Sequence, residues 1–355
     1  MKIAHVVNSL EVGGAEVLVD QMARLQRSQG HEIYLFALDR LGDLGSRLLA
    51  DGFKVTCGMS RNIVDGNKNF YRFFRKEHFD VVHMHNTNPT ACAAPAAWLA
   101  GIPRRISTRH SLVAKPRDAG EEFKYRLAAR FCHQIVGICE ATVLNLKDAR
   151  TAPKAKLSCI YNGIRSLTRA PRNLLPESRG VTFLFVGRLA PVKNLSFMLK
   201  AFAQVMAGAA DVRLWIVGDG EERSALEGLA THLGIADRVH FWGQQLDVAP
   251  FFSAADAFVM SSHSEGLPIS LLQAFSMALP SIVTEVGGMA EAVLHARAGI
   301  VVPPSNPAAM AKAITQMAIS KHLRESFGSQ AQSAFSRYFT LDAMNEKYMA
   351  LYARH

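Results

Sequence analysis

Residues 263–293, HSEGLPISLLQAFSMALPSIVTEVGGMAEAV, decide how this chain folds. They follow DAFVMSS (256–262) and contain PSIVTE (280–285), two short apolar runs of strand length with an apolar helical stretch between them. A strand, a turn built from Gly266 and Pro268, a helix, a second strand and then Gly287-Gly288 before another helix is the repeating unit of a parallel sheet with helices on its faces. Glu265 falls at the carboxyl end of the first strand, just ahead of Leu267 and the helix start, where free backbone amides near Ile269 and Ser270 attract anions. A carboxylate at such a place accords with a ligand that also offers neutral hydroxyls, as a sugar does; a simple helix-dipole partner is the plainer reading.

The same alternation runs outward through the chain. KIAHVVN, HEIYLFAL, FKVTCG, DVVHMH, RRISTRH, HQIVGIC and KLSCIYN mark strands of a front domain over 1–167, with helical lengths between them. TRAPRNLLPESRG (168–180), with two prolines and no periodicity, reads as a linker. VTFLFVG, VRLWIVG, RVHFWG, DAFVMS, PSIVTE and AGIVVP repeat the pattern in a rear domain over 181–337. In the closing segment, 338–355, Leu341, Met344, Tyr348 and Leu351 recur at helical spacing. Two βα arrays predict an α/β protein of two Rossmann-like, doubly wound parallel-sheet domains, with ligands in a central cleft at the carboxyl ends of the strands.

With 49% hydrophobic and 20% charged residues in 355, the chain has room for two cores. Its first strand follows Lys2 directly, without the apolar region or cleavage site of a signal peptide, and no run of about 18 apolar residues predicts a membrane span. Five cysteines without a C-x-x-C pair predict neither a disulfide framework nor a zinc site and accord with a reducing cytoplasm. Of the net charge of +10, +9 falls on residues 1–165, with 24 Lys and Arg against 15 Asp and Glu. An anionic lipid surface, a phosphorylated substrate or nucleic acid would each suit that asymmetry, as would a surplus kept for solubility. The cations are scattered and no nucleic-acid recognition motif appears, so nucleic acid is not the expected partner.

Four further stretches carry chemistry. In NSLEVGGAE, Gly13 and Gly14 let the backbone approach a ligand at a helix start, although a tight turn explains two glycines on their own. The dinucleotide fingerprint G-x-G-x-x-G is not there. VGRLAPVKN places Arg188 and Lys193 on one strand-to-helix loop after Gly187, within reach of one diphosphate, Arg188 as a fork and Lys193 as a point charge. A solvated loop would be basic too, but would not need the glycine. STRHS puts His110 at the end of a front-domain strand, where a lone histidine is as a rule a structural hydrogen-bonder. His83 and His85 have the spacing of two metal ligands, but no third is evident nearby, so they read as strand-end structure and no metal is assigned. Finally, FYRFFRKEHF (70–79) interleaves Phe70, Tyr71, Phe73 and Phe74 with Arg72, Arg75 and Lys76. That suits either an anionic lipid interface or a helix with a buried aromatic face and a solvated basic one.

Taken together, GGAE, DVVHMHN, STRHS, YNGI, VGRLAPVKN, VGDGEE, FWG, SEGLPISLLQAF and EVGGMAEAV resemble the motifs of the retaining glycosyltransferases of family 4, over nearly the whole chain. The resemblance implies the GT-B architecture, with an acceptor-binding front domain, a nucleotide-sugar-binding rear domain and a last helix that crosses back to the front. It implies that Arg188 and Lys193 grip the donor diphosphate, that Gly13 and Gly14 let a front loop close over it, and that amides near Ile269 and Ser270 assist. Glu265 would hold sugar hydroxyls, His110 would lie near the sugar, and the loop after Trp242 and Gly243 would lie against the base. One position departs from the family pattern of Glu, seven residues, Glu: the second glutamate, which takes the ribose hydroxyls, is Gln273 here, an acceptor without a charge.

The likeness implies a metal-independent hexosyltransferase that moves a sugar from a nucleotide-sugar to a saccharide or lipid-linked acceptor in cell-surface polysaccharide or glycoconjugate synthesis. Arg188, Lys193 and the helix-start amides would stabilise charge growing on the leaving oxygen. No D-x-D occurs in the chain, so neither a divalent metal nor another cofactor is expected. The expected location is the cytoplasm, with docking on the inner face of the membrane. A nucleotide-sugar 2-epimerase of the same architecture, and a non-catalytic member to which Gln273 points, are the alternatives.

Overall fold

The computed structural model of the chain describes residues 1–11, 13–112, 119–171, 180–208 and 211–353. Most of the expected linker, 172–179, lies outside them. The chain divides into two compact units, Met1–Arg165 with Thr340–His355, and Ser166–Phe339.

Among the described residues, the first unit is built on a seven-stranded parallel sheet of β1 (Lys2–Val7), β2 (Glu32–Ala37), β3 (Lys54–Thr56), β4 (Val81–His85), β5 (Arg104–Arg109), β6 (Gln134–Gly137) and β7 (Leu157–Cys159). Their spatial order is β3-β2-β1-β4-β5-β6-β7. The order reverses between β1 and β4, where an open α/β sheet leaves a crevice at the carboxyl ends of its strands. β1 and β4 are buried almost throughout because helices cover both faces, and Ile3, Val6, Val82 and Met84 obey that demand. His5, His83 and His85 sit in the same strands and are equally buried.

Helix Ile63–Glu77 decides between the two readings of FYRFFRKEHF. Asn62 caps it, its side-chain oxygen accepting from the amides of Val64 and Asp65 (2.9 and 3.3 Å). Phe70 and Phe74, one turn apart, are 0% and 1% exposed and pack edge-on against Phe36 of β2. Tyr71, Arg72, Arg75 and Lys76 face solvent. The expected lipid contact through Phe70 and Phe74 is therefore corrected: core burial of each stabilises the fold by roughly 1.5–3 kcal/mol, and neither ring reaches a membrane.

Helix Leu341–Ala353 closes the first unit, packing on helix Gly14–Ser28. A parallel bridge between Ile164 and Thr340 fixes its entry, and Gly163 is required there because a Cβ would strike the Thr340 carbonyl. Leu341, Met344, Tyr348 and Leu351 are buried, as their spacing predicts.

The second unit carries, among the described residues, a six-stranded parallel sheet in the order β10-β9-β8-β11-β12-β13. Its strands are β8 (Val181–Val186), β9 (Val212–Val217), β10 (Val239–Gly243), β11 (Ala257–Met260), β12 (Ser281–Thr284) and β13 (Gly299–Val302). The reversal again falls at the middle, between β8 and β11, which sets the loops after these two strands side by side. Among the described residues, no helix is long and apolar enough to cross a membrane.

Candidate active site

In the second unit the loops after β8 and β11 are stitched together. Ser261 Oγ donates to the carbonyls of Lys193 and Asn194 (2.9 and 3.0 Å), and the His263 amide donates to Val192 (2.8 Å). Asn194 is left-handed (φ 52°), which ends the short turn Pro191–Lys193 and starts helix Leu195–Met206. The result brings Lys193 Nζ to 2.5 Å from Glu265 Oε1, and Ser262 Oγ donates to the same oxygen at 2.9 Å. With side-chain exposures of 18% and 14%, the pair is screened far less than a surface ion pair. Two residues to which the sequence gives separate roles thus neutralise each other in the free chain. Arg188 is exposed and has no ion-pair partner among the described residues.

Gly266, Leu267 and Pro268 are buried and lead into helix Ile269–Ser276, whose start no side chain caps. Proline has no N–H, so the amides of Ile269 and Ser270 are the first free donors of that helix. Gln273, partly exposed, lies one turn further along the face of Ile269. Gly187 and Gly243 end the neighbouring β8 and β10 regions on either side of β9 and are laced to it by backbone bonds: Gly187 N–H to Val217 O (3.0 Å) and Gly218 N–H to Gly243 O (2.8 Å). Gly218 has φ 131°, and a Cβ there would strike the Gly187 carbonyl. VGDGEE, matched in sequence but without a role, thereby acquires one: it lets two loop backbones touch.

In the first unit, Gly13 and Gly14 begin helix Gly14–Ser28, which also lacks a side-chain cap. A Cβ on Gly13 would collide with the Glu16 carboxylate, so the anion near this helix start is one the chain supplies itself. Burial holds the Glu16 carboxyl above its ordinary range.

His110 follows β5, its amide donating to Asn86 Oδ1 (2.9 Å), and it does not stand alone. Strand register sets His5 beside His83 and His85 beside Thr108, and the two-residue period puts His83 and His85 on one face. His85 Nδ1 meets His110 Nε2 at 3.0 Å, His85 Nε2 meets His5 Nδ1 at 3.2 Å, and His5 Nε2 meets Gln26 Oε1 at 2.8 Å. His83 meets Tyr352 OH (2.6 Å) and Thr108 Oγ1 (2.7 Å). Desolvation by burial pulls His5 and His110 down to about 4, and it takes His83 and His85 well below their ordinary value, helped by repulsion from the neighbouring rings. All four rings are therefore neutral at neutral pH.

The third imidazole, which no local pattern beside His83 and His85 reveals, is His5, 80 residues from His85 but on the adjoining strand. The three offer ligand atoms within 4.8 Å of one another. Each of their ring nitrogens already meets a protein group, so an ion there would have to displace such bonds; the cluster is built as a hydrogen-bond network. Arg109, next to His110, is part of the scaffold. It is buried over the Tyr125 ring and pairs with buried Glu122 at 3.7 Å.

Two family models match the chain, Glycosyltransferase Family 4 over residues 12–166 and Glycosyl transferases group 1 over residues 168–334. N-acetyl-alpha-D-glucosaminyl L-malate synthase of Bacillus anthracis is 24% identical over 289 residues, which cover 78% of this chain and 75% of that protein. UDP-Gal:alpha-D-GlcNAc-diphosphoundecaprenol alpha-1,3-galactosyltransferase of Escherichia coli is 28% identical over 236 residues, 61% of each chain. Among solved structures, Anabaena HepE in complex with UDP has a TM-score of 0.84 at 20% identity, with 99% of both chains covered, and HepE is also solved with UDP-glucose. The two family models together span residues 12–334, and with two Rossmann-like sheets and the fold of its structural neighbours the chain belongs to the family 4 glycosyltransferases of GT-B fold.

Proposed function

We propose that this glycosyltransferase moves a sugar from a UDP-sugar to a lipid-linked or other saccharide acceptor, with retention of anomeric configuration and without a divalent metal. The observation that carries this reading is the group at the carboxyl ends of β8 and β11: exposed Arg188, Lys193 held on Glu265, and an uncapped helix start at Ile269 and Ser270. A diphosphate gives Arg188 two oxygens for its fork and gives the helix amides an anion. Lys193 then exchanges Glu265 for phosphate, and the released carboxylate accepts from sugar hydroxyls. That exchange accounts for a glutamate at an anion site. The UDP and UDP-glucose bound by HepE, and the UDP-Gal in the name of the Escherichia coli relative, support the choice of nucleotide.

As the bond from the sugar carbon to phosphate breaks, positive charge grows on the sugar and negative charge on the departing oxygen. Arg188, Lys193 and the amides oppose the negative charge, each such preorganised donor being worth about 10²–10³ in rate. With no D-x-D pair to hold a divalent ion, these groups carry the neutralisation alone. The departing phosphate takes the proton of the acceptor hydroxyl as the new bond forms on the same face.

For the acceptor, the diphosphoundecaprenol in the name of the Escherichia coli relative supports a lipid-linked saccharide met at the cytoplasmic face of a membrane. The first unit leaves Phe123 and Leu127 exposed on helix Ala119–Ala129, and Trp98 and Leu99 exposed at the end of helix Thr87–Leu99, with Lys124 and Arg130 exposed nearby in sequence. Trp98 lies 5.4 Å from Phe131, just past the first of these helices. Apolar rings among cations suit an anionic surface and replace Phe70 and Phe74 in that role.

A thermal-shift screen of UDP-, GDP- and ADP-sugars tests the donor, with UDP-sugars expected to stabilise most. Transfer in the presence of EDTA is expected to persist, and an NMR time course to show the donor's anomeric configuration in the product; an inverted product overturns the mechanism. Incubation with donor alone is expected to leave the sugar unchanged, whereas a 2-epimerase would convert it.

A further inference from the structure

The histidine network has a direction. His110 Nδ1 is shut off from water and has no hydrogen-bond partner among the described residues, while its Nε2 meets His85. A neutral imidazole has one N–H and one lone pair, so each ring in a line of such contacts donates at one end and accepts at the other. Gln26 sets which end is which. Its amide nitrogen donates to Asn345 Oδ1 (3.0 Å), whose own amide donates to Gln29 Oε1 (3.0 Å), and this leaves the Gln26 oxygen facing His5 Nε2. His5 therefore carries its proton on Nε2 and accepts at Nδ1. His85 must then donate from Nε2 and accept at Nδ1, and His110 must donate from Nε2. What remains at the end of the line is a bare lone pair on His110 Nδ1. The opposite polarity would strand an N–H there, and a buried N–H without an acceptor is the rarer and costlier orphan.

We infer that Gln26, acting through His5 and His85, fixes the tautomer of His110, and that Asn345 of the final helix holds Gln26 in that orientation. These four are positioning residues: they act on His110 and not on a substrate. His83, tied to Thr108 and Tyr352, packs beside the rings of the line and, among the described residues, connects to it only at Gln26, which the Tyr352 hydroxyl also meets. The tautomer is a property of the free protein; only its use rests on the proposed transfer and on the placement of His110 near the sugar that the family resemblance implies. Nδ1 is sealed in the free protein, so a sugar hydroxyl meets its lone pair only when the covering groups move aside, and it then displaces no existing hydrogen bond.

Long-range proton–nitrogen NMR on the full chain with nitrogen-15 histidine tests this, because bare and protonated ring nitrogens resonate far apart. His5, His85 and His110 are each expected to be protonated at Nε2 and bare at Nδ1. Asn345→Asp keeps an acceptor in front of the Gln26 amide and is expected to preserve that pattern. Gln26→Met removes the acceptor in front of His5 and is expected to turn the His110 signals into those of mixed tautomers, with the circular dichroism spectrum unchanged and the KM for the donor raised about fivefold. A protonated Nδ1 on His110 in the unsubstituted protein, an unchanged His110 tautomer in folded Gln26→Met, or a metal ion bound by His5 and His85 overturns the inference. If Gln26→Met moves the tautomer but not KM, the relay stands and the placement of His110 beside the sugar falls.

Discussion

The two units finish their sheets with opposite chemistry. Around β1, β4 and the end of β5 the first unit gathers four neutral imidazoles, the Tyr352 hydroxyl and the amides of Gln26 and Asn345 into a buried network in which the position of each proton is set by its neighbour. At the ends of β8 and β11 the second unit gathers charges: an exposed guanidinium, and an ammonium held on a carboxylate. Neutral networks hold directional hydrogen bonds and resist change because every reversal must propagate. A half-buried ion pair exchanges partners readily when a better anion arrives. Under the proposed function the contrast suits a division of labour in which the second unit seizes phosphate with its charges and the first contributes neutral, directional hydrogen-bonding groups.

The strongest way to break that division is Arg188→Ala combined with Lys193→Ala, expected to lower kcat/KM by about 10³-fold or more. Taken singly, the two should separate. Arg188→Ala removes a solvated cation and should leave the urea midpoint unchanged, whereas Lys193→Ala strands Glu265 and should also cost roughly 1–3 kcal/mol of stability. Equal stability in both variants would mean that the pair is not formed in solution.

A purely structural ion pair supplies the counterpoint in the first unit. Glu122→Ala leaves buried Arg109 without its carboxylate and is expected to cost about 3–5 kcal/mol in urea unfolding, with donor and acceptor KM unchanged at permissive temperature. An altered KM would move Arg109 from scaffold to site.

Acid should tell the units apart in the same sense. Unfolded imidazoles titrate near 6.5, whereas folded His5 and His110 titrate near 4. Between these values the unfolded chain binds more protons than the folded one, so stability rises with pH there. The contribution of the network is complete above about pH 6.5 and is lost as pH falls toward 4, with His5 alone worth about 3 kcal/mol. Urea midpoints measured at about pH 7 and pH 5 should differ in this direction, and His5→Gln should flatten the difference.

How much of this was legible in the sequence follows the same divide. Both sheets could be read because buried parallel strands are continuous apolar runs, and the rear loops could be read because Gly187, Gly266 and Pro268 mark sharp turns next to charged residues. The Lys193–Glu265 pair could not, since 72 residues separate the partners and only strand order makes them neighbours. His5 was invisible for a similar reason: a single histidine inside an apolar strand has no local signature, and its partners Gln26 and His85 come from two other elements. The aromatic segment 70–79 was ambiguous on principle, because a helix face that docks on a core and one that docks on a membrane share the same period. Only the cover supplied by Phe36 and the rest of the sheet decides.

The smallest expected effect concerns Gln273, where the sequence departs from the family pattern of Glu, seven residues, Glu. Gln273 lies on the helix face that begins at Ile269, and in the proposed donor complex, as a neutral amide, it would accept from a ribose hydroxyl without charge assistance. Gln273→Glu restores the charge, which strengthens those bonds but adds a second carboxylate to a helix that already follows Glu265 and must face a diphosphate. The two effects oppose each other, and the hydrogen bonds are the closer interaction, so the donor Kd measured by calorimetry is expected to fall by about fivefold. Because ribose is held equally before and during transfer, kcat should not change. A rise in Kd would show that repulsion from the phosphates wins, and that the second unit works with Gln273 because its anion site has no room for another negative charge.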